Sequence, residues 1–121
     1  MTELMSFQCI EMAVFAMSGL TGTYQVLNGA SQQADTGSVG FQDDIKILKI
    51  YNDDGTQGIT FSFDGVVKND YLPPKGTMII DLQANHACDA GAQGTKNGRK
   101  GQLIHGKGTA GTANLYIIGY R

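Results

Sequence analysis

The chain has 121 residues, a length that suits one domain around one modest core. Its net charge of -2 gives no electrostatic argument for nucleic acid or an anionic membrane. Charged residues make up 17%, below the roughly 25% of an average soluble domain, so much of the surface is apolar or weakly polar and suits cover by a partner.

The first twenty residues are apolar and ambiguous. Ile10, Ala13, Val14 and Met17 make a helical stripe, while Phe7, Cys9, Ala13 and Phe15 fit alternation. A strand or an extended N-terminal arm is expected over 1–20, because the remainder reads as β. This segment has no basic n-region, and Glu3 and Glu11 interrupt it, so it is not read as a signal peptide. No run reaches the ~20 apolar residues of a membrane-spanning helix, and the protein is expected to be soluble and made in the cytoplasm.

The segment 21–28, TGTYQVLN, reads as a strand with Tyr24 and Val26 on one face. A long polar loop follows over 28–42. DIKILKIYN, 44–52, is a near-continuous apolar strand, expected to be buried on both faces. Asn52-Asp53-Asp54-Gly55 closes it as a turn. In 59–72 the period of two places Ile59, Phe61 and Phe63 on one face, and Asp64-Gly65 marks a tight turn, so a hairpin is expected. Pro73-Pro74-Lys75-Gly76 ends it, since proline cannot donate to a ladder. TMIIDL then places Met78, Ile80 and Leu82 on one face.

The stretch 86–101 is Gly-rich and carries the densest basic charge. Loops of this length are commonly functional, and 28–42 and 86–101 are the natural contact arms, ordered on assembly. GQLIHG reads as a short strand. ANLYIIGYR reads as a final strand with Leu115, Ile117 and Gly119 opposed to Tyr116, Ile118 and Tyr120. The fold class expected is all-β, a single β-sandwich or jelly-roll-like domain over 1–121 with long Gly-rich loops.

The candidate chemical motifs are weak. GQLIHGKG approaches a phosphate-binding loop, but Gly108 replaces the hydroxyl that holds Mg²⁺, and no helix is expected after it. Cys9, His86, Cys88 and His105 have the right atoms for zinc, yet Cys9 and His105 each lack a second Cys or His nearby. The two cysteines read as buried thiols rather than a disulfide framework. YNDDG lacks the first acid and the closing Glu of a calcium loop and reads as a surface turn. No nucleophile elbow or paired-acid motif is present, so an enzyme is not expected, nor a metal or cofactor.

Lys96, Arg99, Lys100, His105 and Lys107 form a local basic cluster in an otherwise acidic chain. It lacks interleaved aromatics for stacking on bases. The cluster reads either as a solvated loop or as an arm on an acidic neighbour; in the second case Lys96, Arg99, Lys100 and Lys107 make the contact, and Tyr120 and Arg121 form a sheet-edge contact.

The run IKILKIYNDDGTQGITFSFDGVVKNDYLPPKGTMIIDLQAN, a Gly-rich stretch and the ending GTAGTANLYIIGYR together carry a resemblance. The chain resembles small β-sandwich virion proteins of tailed bacteriophages over residues 45–85 and 106–121. The family's G-T-G is replaced here by Gly111-Thr112-Ala113, and the N-terminal third is not covered. The resemblance implies a non-enzymatic virion subunit, either a capsid decoration (cement) protein or a repeated neck or tail component. Its partners would be other copies of itself and virion proteins such as the major capsid protein. A carbohydrate-binding β-sandwich module at the host surface is the alternative; Trp is absent, and Tyr24, Tyr51, Tyr71, Tyr116 and Tyr120 would supply its platform.

Overall fold

The computed structural model describes residues 9–33, 39–81 and 100–120. Within them the chain forms eight strands: β1 (Cys9–Ala16), β2 (Gln25–Val26), β3 (Ile47–Asn52), β4 (Ile59–Ser62), β5 (Asp70–Leu72), β6 (Thr77–Asp81), β7 (His105–Lys107) and β8 (Asn114–Tyr120). Single 3₁₀ turns, Met17–Gly19 and Ala30–Gln32, follow β1 and β2. The architecture is all-β, in two antiparallel sheets of four strands, ordered β1-β8-β3-β6 and β2-β7-β4-β5.

The inward rows of both sheets supply one buried cluster. The larger sheet contributes Ala13, Phe15, Leu48, Ile50, Leu115 and Ile117, and the smaller one Ile59, Phe61 and Leu72. Met17, Leu20, Leu27, Phe41, Ile45 and Ile104 close it from the connections, with Met78 and Ile80 of β6 packed at its margin. Each Leu or Ile buried this way contributes about 1.5–3 kcal/mol relative to exposure. Gly106 of β7 sits at a core position because nothing larger fits. A Cβ there would lie 2.7 Å from Leu27 Cδ1 and 2.8 Å from Ile59 Cδ1.

The smaller sheet has strands of only two to four residues. Ladders that short leave backbone groups over, and buried side chains satisfy them. Asn28, fully buried, accepts from the Ile104 N–H at 2.9 Å and donates to the Gln102 carbonyl at 3.2 Å. Asn52, also fully buried, donates to the Gln57 carbonyl at 2.8 Å and accepts from the Asp54 N–H at 3.0 Å.

Some expectations hold and others change. The N-terminal segment is a strand from Cys9 onward, with Glu11, Ala13 and Phe15 turned inward. The strand expected over 21–28 shortens to Gln25–Val26, and the one expected over 101–106 moves to His105–Lys107. β3 is buried on one face rather than two: Leu48, Ile50 and Asn52 face the core, while Ile47, Lys49 and Tyr51 are half-buried on the other side. The hairpin over 59–72 is made of β4 and β5, but a seven-residue loop, 63–69, joins them. That loop replaces the expected tight turn because Asp64 caps it. Its Oδ1 accepts from the N–H groups of Val66 (2.8 Å) and Val67 (2.9 Å) and from the Ser62 hydroxyl (2.8 Å).

Of the loop expected over 28–42, residues 34–38 lie outside the described residues, and the rest is tied down by hydrogen bonds. Gly40 N–H donates to the Asn28 carbonyl at 2.8 Å, and Phe41 N–H to the Gln102 carbonyl at 3.2 Å. Glu11, 3% exposed, accepts from the N–H groups of Gln42 (2.9 Å) and Asp43 (3.3 Å). The other expected arm, 86–101, lies outside the described residues up to Arg99.

The turn read as surface in YNDDG is buried in part: Asn52 and Asp54 point inward, while Gly55 is exposed. Asp54 is 0% exposed. Its Oδ1 accepts from Thr56 N–H (2.9 Å), Thr56 Oγ1 (3.1 Å) and Gln57 N–H (2.9 Å). Its Oδ2 accepts from Thr112 N–H (2.6 Å) and Ala113 N–H (3.1 Å). The carboxylate therefore clamps the β3–β4 turn to the 111–113 segment. Gly111 is needed beside it, since a Cβ there would lie 2.7 Å from Asp54 Cγ. These donors, Thr56 N–H foremost, hold the carboxyl far below its ordinary range.

Candidate functional site

Alternation in the larger sheet sends every second side chain away from the core. In an antiparallel sheet with one solvated face, the outer row is normally polar. Here it is mostly apolar. Met12 and Val14 of β1 lie opposite Ile118 and Tyr116 of β8, and Ile118 and Tyr116 lie opposite Lys49 and Tyr51 of β3. Lys49 in turn lies opposite Ile79 of β6. Ile79 is 66% exposed, and Thr77 and Asp81 on either side of it are exposed too, while Met12, Val14, Lys49, Tyr51, Tyr116 and Ile118 are half-buried.

The face has internal structure. Tyr51 and Tyr116 stack, with centroids 6.2 Å apart and planes at 20°. Toward the other end a groove of about 300 Å³ opens between Ile47, Lys49, Ile79 and Tyr120. Beside the stacked tyrosines is a polar corner: the Tyr51 hydroxyl donates to Asp53 Oδ1 at 2.9 Å, and Lys75 Nζ reaches the same oxygen at 2.9 Å. The Lys75 hydrogen bond lowers the Asp53 carboxyl, and the bond to Asp53 raises the Tyr51 phenol. This exposed ion pair orients the corner more than it stabilises it.

The outer face of the smaller sheet has a different character. Thr60 lies opposite Tyr71 on one side and Lys107 on the other, and Lys107 Nζ sits 4.6 Å from the Tyr24 ring centroid. This face is polar with two tyrosines at its margins, Tyr71 being 48% exposed.

The residues expected to make contacts do not form one patch. Lys107 lies on the outer face of the smaller sheet, and Tyr120 on the outer face of the larger one. Lys100 is exposed, and its N–H donates to Asp44 Oδ1 at 2.8 Å, which places it beside the start of β3. Lys96, Arg99 and Arg121 lie outside the described residues. Tyr120 is not on an edge. β8 is paired on both sides, so its backbone has no free row, and Tyr120 contributes through its side chain on a sheet face.

Of the zinc candidates, His86 and Cys88 lie outside the described residues, and no ligating cluster forms among the residues described. The phosphate-loop look-alike ends in strand β7, and the next element is β8. Among the described residues no helix is long and apolar enough to cross a membrane.

Sequence reasoning missed this apolar face as a surface. Its signal was present in 44–52, whose near-continuous apolar character was read as burial on both sides. Comparison with protein-family models, curated proteins and solved structures found no match to this chain.

Proposed function

We propose that the chain is a non-enzymatic structural subunit of a bacteriophage virion, a capsid decoration protein. In this reading its two sheets pack as a β-sandwich, and the outer face of the larger sheet is covered by copies of itself or by the major capsid protein. The observation that carries the reading is that face: Met12, Val14, Ile47, Ile79, Ile118 and the three tyrosines 51, 116 and 120 stand where a solitary antiparallel sheet would carry charge. The low charged fraction of the chain agrees with it, as does the rhythm shared with small virion β-proteins. A neck or tail ring component would use the same face, with copies arranged around an axis.

The test is uptake. Purified protein is mixed with shells of the parent particle that lack it, and its stoichiometry on sedimented shells is measured. Saturable uptake supports the decoration role. Self-association without uptake moves the subunit to neck or tail. A monomer that ignores the shells refutes the structural reading.

One observation favours a second reading. Tyr24 and Tyr71 flank Lys107 and Thr60 across the smaller sheet's outer face, an arrangement on which a sugar ring can stack. A glycan-array signal lost in Tyr71→Ala would select this carbohydrate-binding alternative.

A further inference from the structure

The loop 63–69 presents the most exposed large apolar side chain among those described, Val66 at 78%, beside Val67 at 56%. Exposed valines at a loop tip gain nothing for the monomer. Yet the tip is held firmly. Asp64 Oδ1 receives both valine N–H groups and the Ser62 hydroxyl; Ser62 Oγ in turn accepts from the Gly65 N–H at 2.9 Å. Asn69 Oδ1 accepts from the Phe63 N–H at 2.8 Å, which closes the base of the loop. A pre-ordered apolar knob loses little conformational freedom on docking.

An open apolar groove lies on the same molecule. The groove between Ile47, Ile79 and Tyr120 is about 300 Å³. That is the low end of the range for ligand pockets, and it suits two small branched side chains better than a large molecule. The charges match in sense: Lys49 lines the groove, and Asp64 and Asp70 flank the tip. A second pair runs the other way, with Asp81 across from Ile47 at the groove and Lys68 next to Val67 at the tip. Complementary charge of this kind sets register and orientation more than affinity.

The knob belongs to the smaller sheet and the groove to the outward face of the larger one. The two are different surfaces of one copy. We propose that Val66 and Val67 of one copy seat in the Ile47–Ile79–Tyr120 groove of the next, a head-to-tail contact that propagates into a ring or an open row. This inference rests on the self-association reading above and specifies its geometry.

The test uses wild type, the tip variant Val66→Asp/Val67→Asp and the groove variant Ile79→Asp, by sedimentation velocity. All three positions are exposed, so the variants retain the wild-type melting profile, which circular dichroism checks first. Wild type is expected to form species larger than a dimer. Each variant alone is expected to be monomeric, with its dissociation constant raised on the order of a hundredfold or more. An equimolar mixture of the two variants is expected to form a heterodimer and nothing larger, because it holds one intact tip facing one intact groove. A tip variant that assembles like wild type overturns the proposal while leaving self-association standing, as does a mixture that stays monomeric. A wild type that is itself monomeric removes both the proposal and the self-association reading, and returns the groove to a different protein.

Discussion

Asn28→Ala isolates what holds the smaller sheet together. The side chain is fully buried and makes two hydrogen bonds to one segment: it accepts from Ile104 N–H at 2.9 Å and donates to the Gln102 carbonyl at 3.2 Å. Truncation removes both, at about 1 kcal/mol each, and leaves the Ile104 N–H buried and unpaired at about a further 1 kcal/mol or more. The total is about 3 kcal/mol. With an unfolding entropy of about 2.1 cal/mol/K per residue, a chain of 121 residues loses about 12 °C in Tm. The assay is differential scanning calorimetry, paired with amide exchange at Ile104. Its N–H is expected to exchange faster in the variant, ahead of amides in β3 and β8. A Tm shift under about 3 °C, with Ile104 protection unchanged, would refute the claim that side-chain hydrogen bonds stand in for the missing ladder.

The other expectations concern the turns and the tyrosine corner. Asp64 is depressed to about 2, chiefly by the Val67 and Val66 N–H groups, and Asp54 lies lower still. A carboxyl depressed in the folded state stabilises it above the unfolded value near 4, and that stability drains as pH falls through the folded value. Tm should therefore decline below about pH 4, and calorimetry should find a shallower decline in Asp54→Asn and Asp64→Asn. Gly111→Ala brings a Cβ to 2.7 Å from Asp54 Cγ and 3.2 Å from Met17 Cβ; a loss of about 2 kcal/mol in urea denaturation is expected, and unchanged stability would contradict the described approach. Asp53→Ala removes the acceptor that raises Tyr51, so ultraviolet titration should find that phenol ionising nearer to its ordinary value of about 10.

The larger sheet was largely legible in the sequence because its strands are long enough to alternate. Leu115, Ile117 and Gly119 against Tyr116, Ile118 and Tyr120 is a period of two, and β8 carries it as read. Met78 and Ile80 against Ile79 is the same signal in β6. The smaller sheet was less so: β2 and β7 are too short for a period to form, and Asn28 reaches a partner 76 residues away. Asp54 was misread for the same reason, since Thr112 and Ala113 lie 58 and 59 residues further along. Locally YNDDG is indistinguishable from a solvated turn. The apolar outer face was present in the sequence as excess hydrophobicity in 44–52. Its location stayed hidden, because a face that needs cover and a face already covered share one pattern. The expected contact residues did not converge, since Lys107, picked for its charge, and Tyr120, picked as an edge residue, belong to different sheets.

The central claim is that copies of the chain meet through the outer face of the larger sheet. Its most direct test is sedimentation equilibrium on wild type and Ile118→Glu. Ile118 lies in the middle of the face, opposite Met12 and Lys49. A half-buried outward residue leaves the core intact, and a glutamate opposite Lys49 makes a favourable cross-strand pair in the monomer, while its charge would have to be stripped of water in the contact. Reversible assembly of wild type, with a variant of similar Tm held at monomer mass, is the expected result. Wild type and variant of equal mass at every concentration would contradict it.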